Sequence, residues 1–299
     1  MSEENNDTRV ENSWTDPGTG KTLHFNEDGK FIDDEGNGPQ KGFKNDNKFG
    51  DWLHAYVQQC LIDQGLIEFK VDGKVPIFHT KNAFNSPKKL LVLICGAGRI
   101  LAGLWSVGVC AYHGINAGSV LPCLVEAQKR DMEVVIFNPN HPKAIMTSHS
   151  ERIFRDFVIP ANPERVWIIA HSMGGSSTCS IISANPEWCI GHVAAVAMTD
   201  GCEGTVRAKG FKINAWCHLK GINWVKSKEE VNSPLTAGYS AMHRSANTND
   251  HPLTTYKAFT HIWEFFDENG ADKDESPPLP EDFVGDENVG IGGQDCIIA

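Results

Sequence analysis

The sequence predicts an α/β fold with a mostly parallel central sheet, and three observations carry that prediction. Four strongly apolar runs recur along the chain, at residues 90–94, 134–137, 166–169 and 192–198. Each is short and continuously apolar, the pattern of a strand buried on both faces. Helical or loop-like segments separate the runs, which is the rhythm of βαβ units. Finally, the third run passes straight into Ala170-His171-Ser172-Met173-Gly174 and then a helix-compatible stretch, residues 175–183, so strand, sharp turn and helix follow one another.

Taken in order, residues 1–44 are rich in Asn, Asp, Glu and Gly, with short apolar touches at Leu23, Phe25, Phe31 and Ile32. They read as a flexible leader with one small hairpin. The folded domain is expected over residues 45–267. Within residues 49–66, Trp52, Leu53, Tyr56, Val57, Cys60 and Leu61 recur at spacings of three and four, which predicts an amphipathic helix. Residues 69–78 alternate around Asp72-Gly73 and predict a hairpin at a sheet edge. The run at 90–94 enters Cys95-Gly96-Ala97-Gly98, and a helix is expected at 119–130. The run at 134–137 stops at Asn138-Pro139-Asn140, and the one at 192–198 stops at Thr199-Asp200-Gly201. A weaker fifth run covers 222–225. Right-handed crossovers would bring these run ends to one sheet edge, where such folds place their sites. The last helix is expected over 253–266, with Leu253, Tyr256, Phe259, Ile262 or Trp263, and Phe266 along one stripe. Pro252 suits its first turn and leaves His251 in the preceding loop. Residues 268–299 turn acidic and rich in Pro and Gly, and a disordered tail is expected.

Bulk properties remove several classes of function. The chain has 299 residues, 40% of them apolar, and a formal charge of −11. That charge argues against direct nucleic-acid binding, which needs a basic face. No run reaches the ~18 apolar residues of a membrane helix. The polar, acidic start predicts no secretory signal. Nine cysteines without a C-x-x-C spacing argue against a zinc ribbon or a disulfide framework and for a reducing, intracellular setting. No His/Cys/Asp/Glu cluster has metal spacing, and no lysine follows the glycines in a phosphate-loop pattern, so no metal and no cofactor is expected.

The turn at Ser172 matches the nucleophile elbow of an α/β-hydrolase-type, three-layer fold, with Ala170 in place of the first glycine. Such a serine needs a base, and the base an orienting acid. Five histidines lie downstream of Ser172. His192 opens a strand at its wrong end, His261 lies within the last helix and His218 in a helix-like segment. His243 and His251 fall in the long loop before the last helix, and His251 is favoured because Pro252 pins it at the helix entrance. Two carboxylates compete as the acid: Glu229, after the fifth run, and Asp200, after the fourth. Oxyanion donors are expected from the N–H of Met173 and from the Gly96 and Ala97 loop. His171 is read as structural, pointing away from the nucleophile. The chain ends Cys296-Ile297-Ile298-Ala299, a C-a-a-X ending whose Cys296 would carry a prenyl group and give weak membrane contact.

Several stretches together resemble the argonaute-binding-protein-two domain family, whose animal members are known as cotranscriptional regulators. They are residues 90–98, 136–140, 170–175, 196–200 and 223–225, and the run from His251 through Phe259. The resemblance implies an α/β-hydrolase-like fold with Ser172 at the nucleophile position. It also implies hydrolase activity on an ester or acyl substrate, or an adaptor role that binds Argonaute or chromatin proteins in small-RNA silencing or splicing control. Cys95 stands where relatives carry histidine, and Asn232 where an acidic residue can occur. The location implied is cytoplasmic or nuclear.

Overall fold

The computed structural model describes residues 9–40, 42, 47–203, 211–236 and 241–270. The chain opens with β1 (Ser13–Thr15), β2 (Thr22–Phe25) and β3 (Phe31–Ile32), a small antiparallel sheet followed by α1 (Asn47–Asp63). A flexible leader with one hairpin was the expectation for this stretch. The difference has a physical source in a few widely spaced rings. Phe25 stacks on Trp52 and Tyr56, Phe31 packs on Phe49, and Trp14 bridges Phe49 and Trp52. Against α1 those rings form a core of their own.

The chain continues through β4 (Ile67–Val71), β5 (Val75–His79), β6 (Lys89–Ile94), α2 (Val107–His113), α3 (Ile115–Gly118), α4 (Leu121–Lys129) and β7 (Glu133–Ile136). Next, α5 (Met146–Ile153) runs through a π turn, Phe154–Val158, into α6 (Ile159–Ala161). Then come β8 (Arg165–His171), α7 (Met173–Ala184), α8 (Pro186–His192), β9 (Val193–Thr199), α9 (Phe211–Lys220), β10 (Gly221–Val225) and β11 (Met242–Ser245). A 3-10 turn, His251–Leu253, leads into α10 (Thr254–Glu268). One eight-stranded sheet has the order β11-β10-β9-β8-β6-β7-β5-β4. All neighbours from β7 to β11 pair in parallel, and the β4–β5 hairpin forms the antiparallel edge. This is the mostly parallel, α/β-hydrolase-type sheet expected.

Alternation along the central strands sorts the core into two layers. Leu91, Leu93, Trp167 and Ile169 face one side with Ile262 and Phe266 of α10. Leu90, Val92, Ile94, Val166, Ile168 and Ala170 face the other with Phe154 and Ile181. Both faces are apolar, so the strands read as unbroken runs. The chain steps outward from β6 to β7 and then crosses back to β8 on the other side of β6. That reversal opens a crevice at the carboxyl ends of β6 and β8.

β11 was not expected. It reads Met-His-Arg-Ser and has no apolar run to betray it, yet it pairs from Ile222↔Met242 to Val225↔Ser245. Among the described residues no helix is long and apolar enough to cross a membrane. The tail from residue 271 on, with Cys296, lies outside the described residues.

Candidate active site

Ser172 sits between the end of β8 and the start of α7 with φ 53° and ψ −124°, a region that non-glycine residues enter at a cost. The turn is over-determined by hydrogen bonds. Ser172 donates its N–H to the Thr199 carbonyl at 3.1 Å, and its own carbonyl accepts from Gly175 at 2.9 Å and Cys202 at 2.8 Å. Gly174 makes the close approach of helix to sheet feasible: a Cβ there would lie 2.5 Å from the Ile94 carbonyl oxygen. Ser172 itself is only partly buried.

The loop after β6 presses on the serine. A Cβ at Gly96 would lie 2.7 Å from Ser172 Cβ and 3.3 Å from its Oγ. No backbone or side-chain acceptor within the described residues takes the N–H of Ala97 or of Met173, and Met173 is the first residue of α7, where N–H groups lack helical partners. Asn140 braces this loop. Its Nδ2 donates to the carbonyl of Gly96 and, at 2.8 Å, to that of Ile100. Asn138, fully buried, accepts from the Ala102 N–H and donates to the Pro76 carbonyl, each at 3.0 Å. Sequence reasoning assigned neither asparagine a role. The signal was there as two amides flanking a proline at the carboxyl end of a core strand.

His251 and Asp200 meet across 51 residues of sequence. His251 Nδ1 lies 2.6 Å from Asp200 Oδ2. An ionised carboxylate can only accept, so Nδ1 carries the proton and Nε2 is left for other work. Asp200, at the end of β9, also accepts at Oδ1 from the Lys226 N–H at 3.3 Å, and the Lys226 ammonium lies 3.6 Å from Oδ2. Burial pushes the Asp200 carboxyl up, but the bonds from His251 and Lys226 and their charge outweigh it, and the pKa falls below the ordinary value. Ser172 is a neighbour of this pair through its own chain, since the His171 ring packs at a tilt on the His251 ring with centroids 4.7 Å apart. Ser172 Oγ and the His251 ring are not hydrogen-bonded to each other here. Catalytic contacts are often open without substrate and tighten on binding.

The remaining expected residues have other places. Glu229 is exposed and makes no bond to His251; its carbonyl accepts from Ser245 and Asn247. Of the two carboxylates, Asp200 is the one that bonds the His251 ring. His243, expected in a loop, lies on β11 and pairs with Glu203. His192 bonds the Pro163 carbonyl and His261 bonds Glu264. Asn232 accepts from the Trp224 indole N–H at 3.1 Å. The Cys95 thiol beside the glycine loop is buried and pushed up to about 12 by desolvation, so it is no rival nucleophile. Among the described residues no group of three or more His, Cys, Asp or Glu is placed to hold a metal ion.

An open groove of about 420 Å³ lies next to the chain neighbours of His251, and its lining includes none of Ser172, Asp200 and His251. Asp250 and Pro252, on either side of His251, form part of one wall, and Arg99 and Ile100 of the glycine loop another. Arg99 is held by Asp51 of α1 at 2.6 Å.

Comparison with known proteins follows the same lines. Residues 50–143 match the family model of the Arb2 domain. Over that stretch the chain is similar to the Arb2 domain. It is 25% identical to the "Cotranscriptional regulator ARB2A homolog" of Xenopus tropicalis over 256 residues, 64% of this chain and 61% of that protein. It is 24% identical to the human "Cotranscriptional regulator ARB2A" over 263 residues, 67% of this chain and 63% of that protein. The chain thus spans less than two thirds of the length of these relatives. Among solved structures, that of the histone deacetylase Clr3 superposes with a TM-score of 0.54 at 13% identity, covering 78% of this chain and 41% of that one. At that identity the likeness is one of fold. The Arb2 match takes in Gly96, Ala97 and Asn140 and stops short of Ser172, Asp200 and His251, whose roles rest on the geometry above.

Proposed function

We propose that the protein is a serine hydrolase acting on an ester or related acyl bond. The observation that carries this reading is the strained Ser172 at the carboxyl edge of the sheet, whose neighbour His171 packs on a histidine already held by a half-buried carboxylate. Ser172 Oγ attacks the acyl carbon and its proton passes to His251 Nε2. The imidazolium is stabilised by Asp200 and returns the proton to the leaving oxygen, freeing the alcohol. Water, deprotonated by the same nitrogen, then cleaves the acyl-enzyme and restores Ser172. The N–H groups of Met173 and Ala97 hold the oxyanion, and each such donor is worth about 2.7–4 kcal/mol. A fluorophosphonate probe tests the reading: it labels the wild type and spares Ser172→Ala. A folded wild type that takes no label rejects it.

A second reading, an adaptor that binds Argonaute or chromatin proteins in the nucleus or cytoplasm, is favoured by the naming of the relatives as cotranscriptional regulators. It expects Ser172→Ala to leave partner capture intact, and a pull-down without any small-RNA or chromatin factor counts against it. Prenylation at Cys296 adds weak membrane contact in either case. A farnesyl mass increment on the intact protein, lost in Cys296→Ser, is its test.

A further inference from the structure

We propose that His171 is a positioning residue: its buried ring is the floor that fixes the plane of the His251 imidazole and so the reach of the base to Ser172. The catalytic meaning of this inference rests on the hydrolase reading, but its physical content does not. It follows from a layer of polar side chains directly beneath the site. His171 precedes the nucleophile, Thr199 precedes the acid Asp200, and Thr255 lies one helical turn after the base His251. The three side chains meet. His171 Nδ1 lies 3.1 Å from the Thr199 hydroxyl and 3.3 Å from that of Thr255, and the two hydroxyls are 2.6 Å apart. All three residues are buried, with 3% of His171 and none of Thr199 exposed. The layer therefore joins the end of β8, the end of β9 and the start of α10, the three segments that deliver Ser172, Asp200 and His251.

An apolar side chain would fill this space without the desolvation cost of an imidazole and two hydroxyls. What the polar layer adds is direction. With Nδ1 accepting from a hydroxyl, the His171 ring cannot turn freely about its χ2 bond, and its face is presented to His251 at 4.7 Å between centroids with 33° between planes. Asp200 holds His251 by one ring atom only, which leaves the ring free to swing about that contact. Packing on a fixed neighbour removes that freedom. Burial also holds His171 neutral, with its pKa pulled down to about 3, so no second positive charge faces His251 when it takes the serine proton. Asp200 is the charged group on the far side of the ring.

Two readouts test the inference, the rate of fluorophosphonate labelling at Ser172 and the downfield proton resonance of the His251 Nδ1–H held by Asp200. His171→Ala is expected to slow labelling ~10-fold or more, within the range that misplacement of a reacting group costs, and to broaden the resonance as the ring gains freedom. His171→Phe, which restores a flat face but not the bonds to the hydroxyls, is expected to recover part of the rate and sharpen the resonance only in part. Should the alanine variant fail to fold, Thr255→Val removes one hydroxyl of the clamp, and a smaller loss in the same direction is expected. An unchanged resonance and rate in a folded alanine variant, or in the valine variant where alanine does not fold, overturns the proposal, as does phenylalanine behaving like alanine. A wild type that takes no label but whose resonance responds to His171→Ala ends the hydrolase reading and leaves the positioning role standing.

Discussion

Ser172 carries its chemistry in its backbone as much as in its hydroxyl. A φ of 53° with ψ −124° costs of order 1–3 kcal/mol for a residue with a Cβ, and the Thr199, Gly175 and Cys202 bonds hold it there. Two variants isolate that strain. Ser172→Ala and Ser172→Gly both lose the hydroxyl, but only glycine relieves the conformation. After the ~0.5–1 kcal/mol that glycine loses to the unfolded chain, Ser172→Gly is expected to be the more stable of the two by about 1 kcal/mol. Urea denaturation of the pair reads this directly, and a glycine variant less stable than the alanine variant by ~0.5–1 kcal/mol would mean the turn is unstrained. Gly96→Ala works the other way: its new Cβ, 2.7 Å from Ser172 Cβ, has to push the serine or the loop aside. Labelling is expected to fall ~100-fold or more, as reacting groups shift by about 1 Å, while the far-UV spectrum keeps its shape. Much of this site was legible in the sequence. Ser172, Asp200 and the glycine loop each follow an apolar run, and His251 stands before Pro252 at the entrance of the last helical stripe, so all are recognisable without partners. The choice of Asp200 over Glu229 was not legible, because both follow a strand and only the fold shows which reaches the imidazole. The Asn140 brace and the contact of His171 with Thr255 stayed hidden for the same reason, since each joins residues far apart in sequence.

At the level of elements, apolar runs and helical stripes predicted the five core strands and hairpin edge that build most of the large sheet, and also α1, α4, α7 and α10. Elements that lack such a pattern escaped. β11 is paired by its backbone while its side chains are half exposed, and the N-terminal sheet relies on single rings that become a core only against α1. Phe31, 2% exposed among Phe25, Phe49 and Trp52, is the keystone of that sheet, and Phe31→Ala is expected to cost about 3–5 kcal/mol. If residues 13–32 were loosely attached, the denaturation midpoint would barely move. The helix that follows His251 is tied down separately. Arg130 at the end of α4 gives Nε and Nη2 to Asp267 of α10 at 2.6 and 2.7 Å, gives Nη1 to Glu126, and lies 4.7 Å from the centroid of Trp263. Because Asp267 is more than half exposed, the ion pair is discounted for screening. Arg130→Met is expected to cost about 1–2 kcal/mol, mostly as the lost cation–π contact and one charged hydrogen bond. That cost should shrink in high salt, and a salt-independent loss would assign the effect to packing alone.

On the scale of the whole molecule, the response to acid follows from histidines folded into the interior. Desolvation pulls His171 down to about 3 and His149 down to about 4, and it lowers His54 as well. His149 Nε2 and His54 Nε2 are buried without a hydrogen-bond partner, so neither is placed to stabilise a proton inside. In the unfolded chain the same rings take up a proton near pH 6.5. Between about pH 6.5 and 4 the unfolded state therefore binds more protons than the folded one, and stability falls as pH falls. Each fully neutral buried ring contributes at most roughly 1.4 kcal/mol per pH unit across that window. Depressed carboxylates such as Asp200 act lower down, since their stabilisation is present above the unfolded pKa near 4 and is lost as pH falls through the folded value. The expected curve is thus flat from pH 8 to 7, declining from 6.5, and steeper below 4. Urea midpoints taken at unit steps of pH trace it, and His149→Phe should lessen the slope between 6.5 and 4 by up to one proton's worth while leaving the neutral region unchanged. A wild-type midpoint that holds constant down to pH 4 would mean that these rings take up protons inside the folded protein.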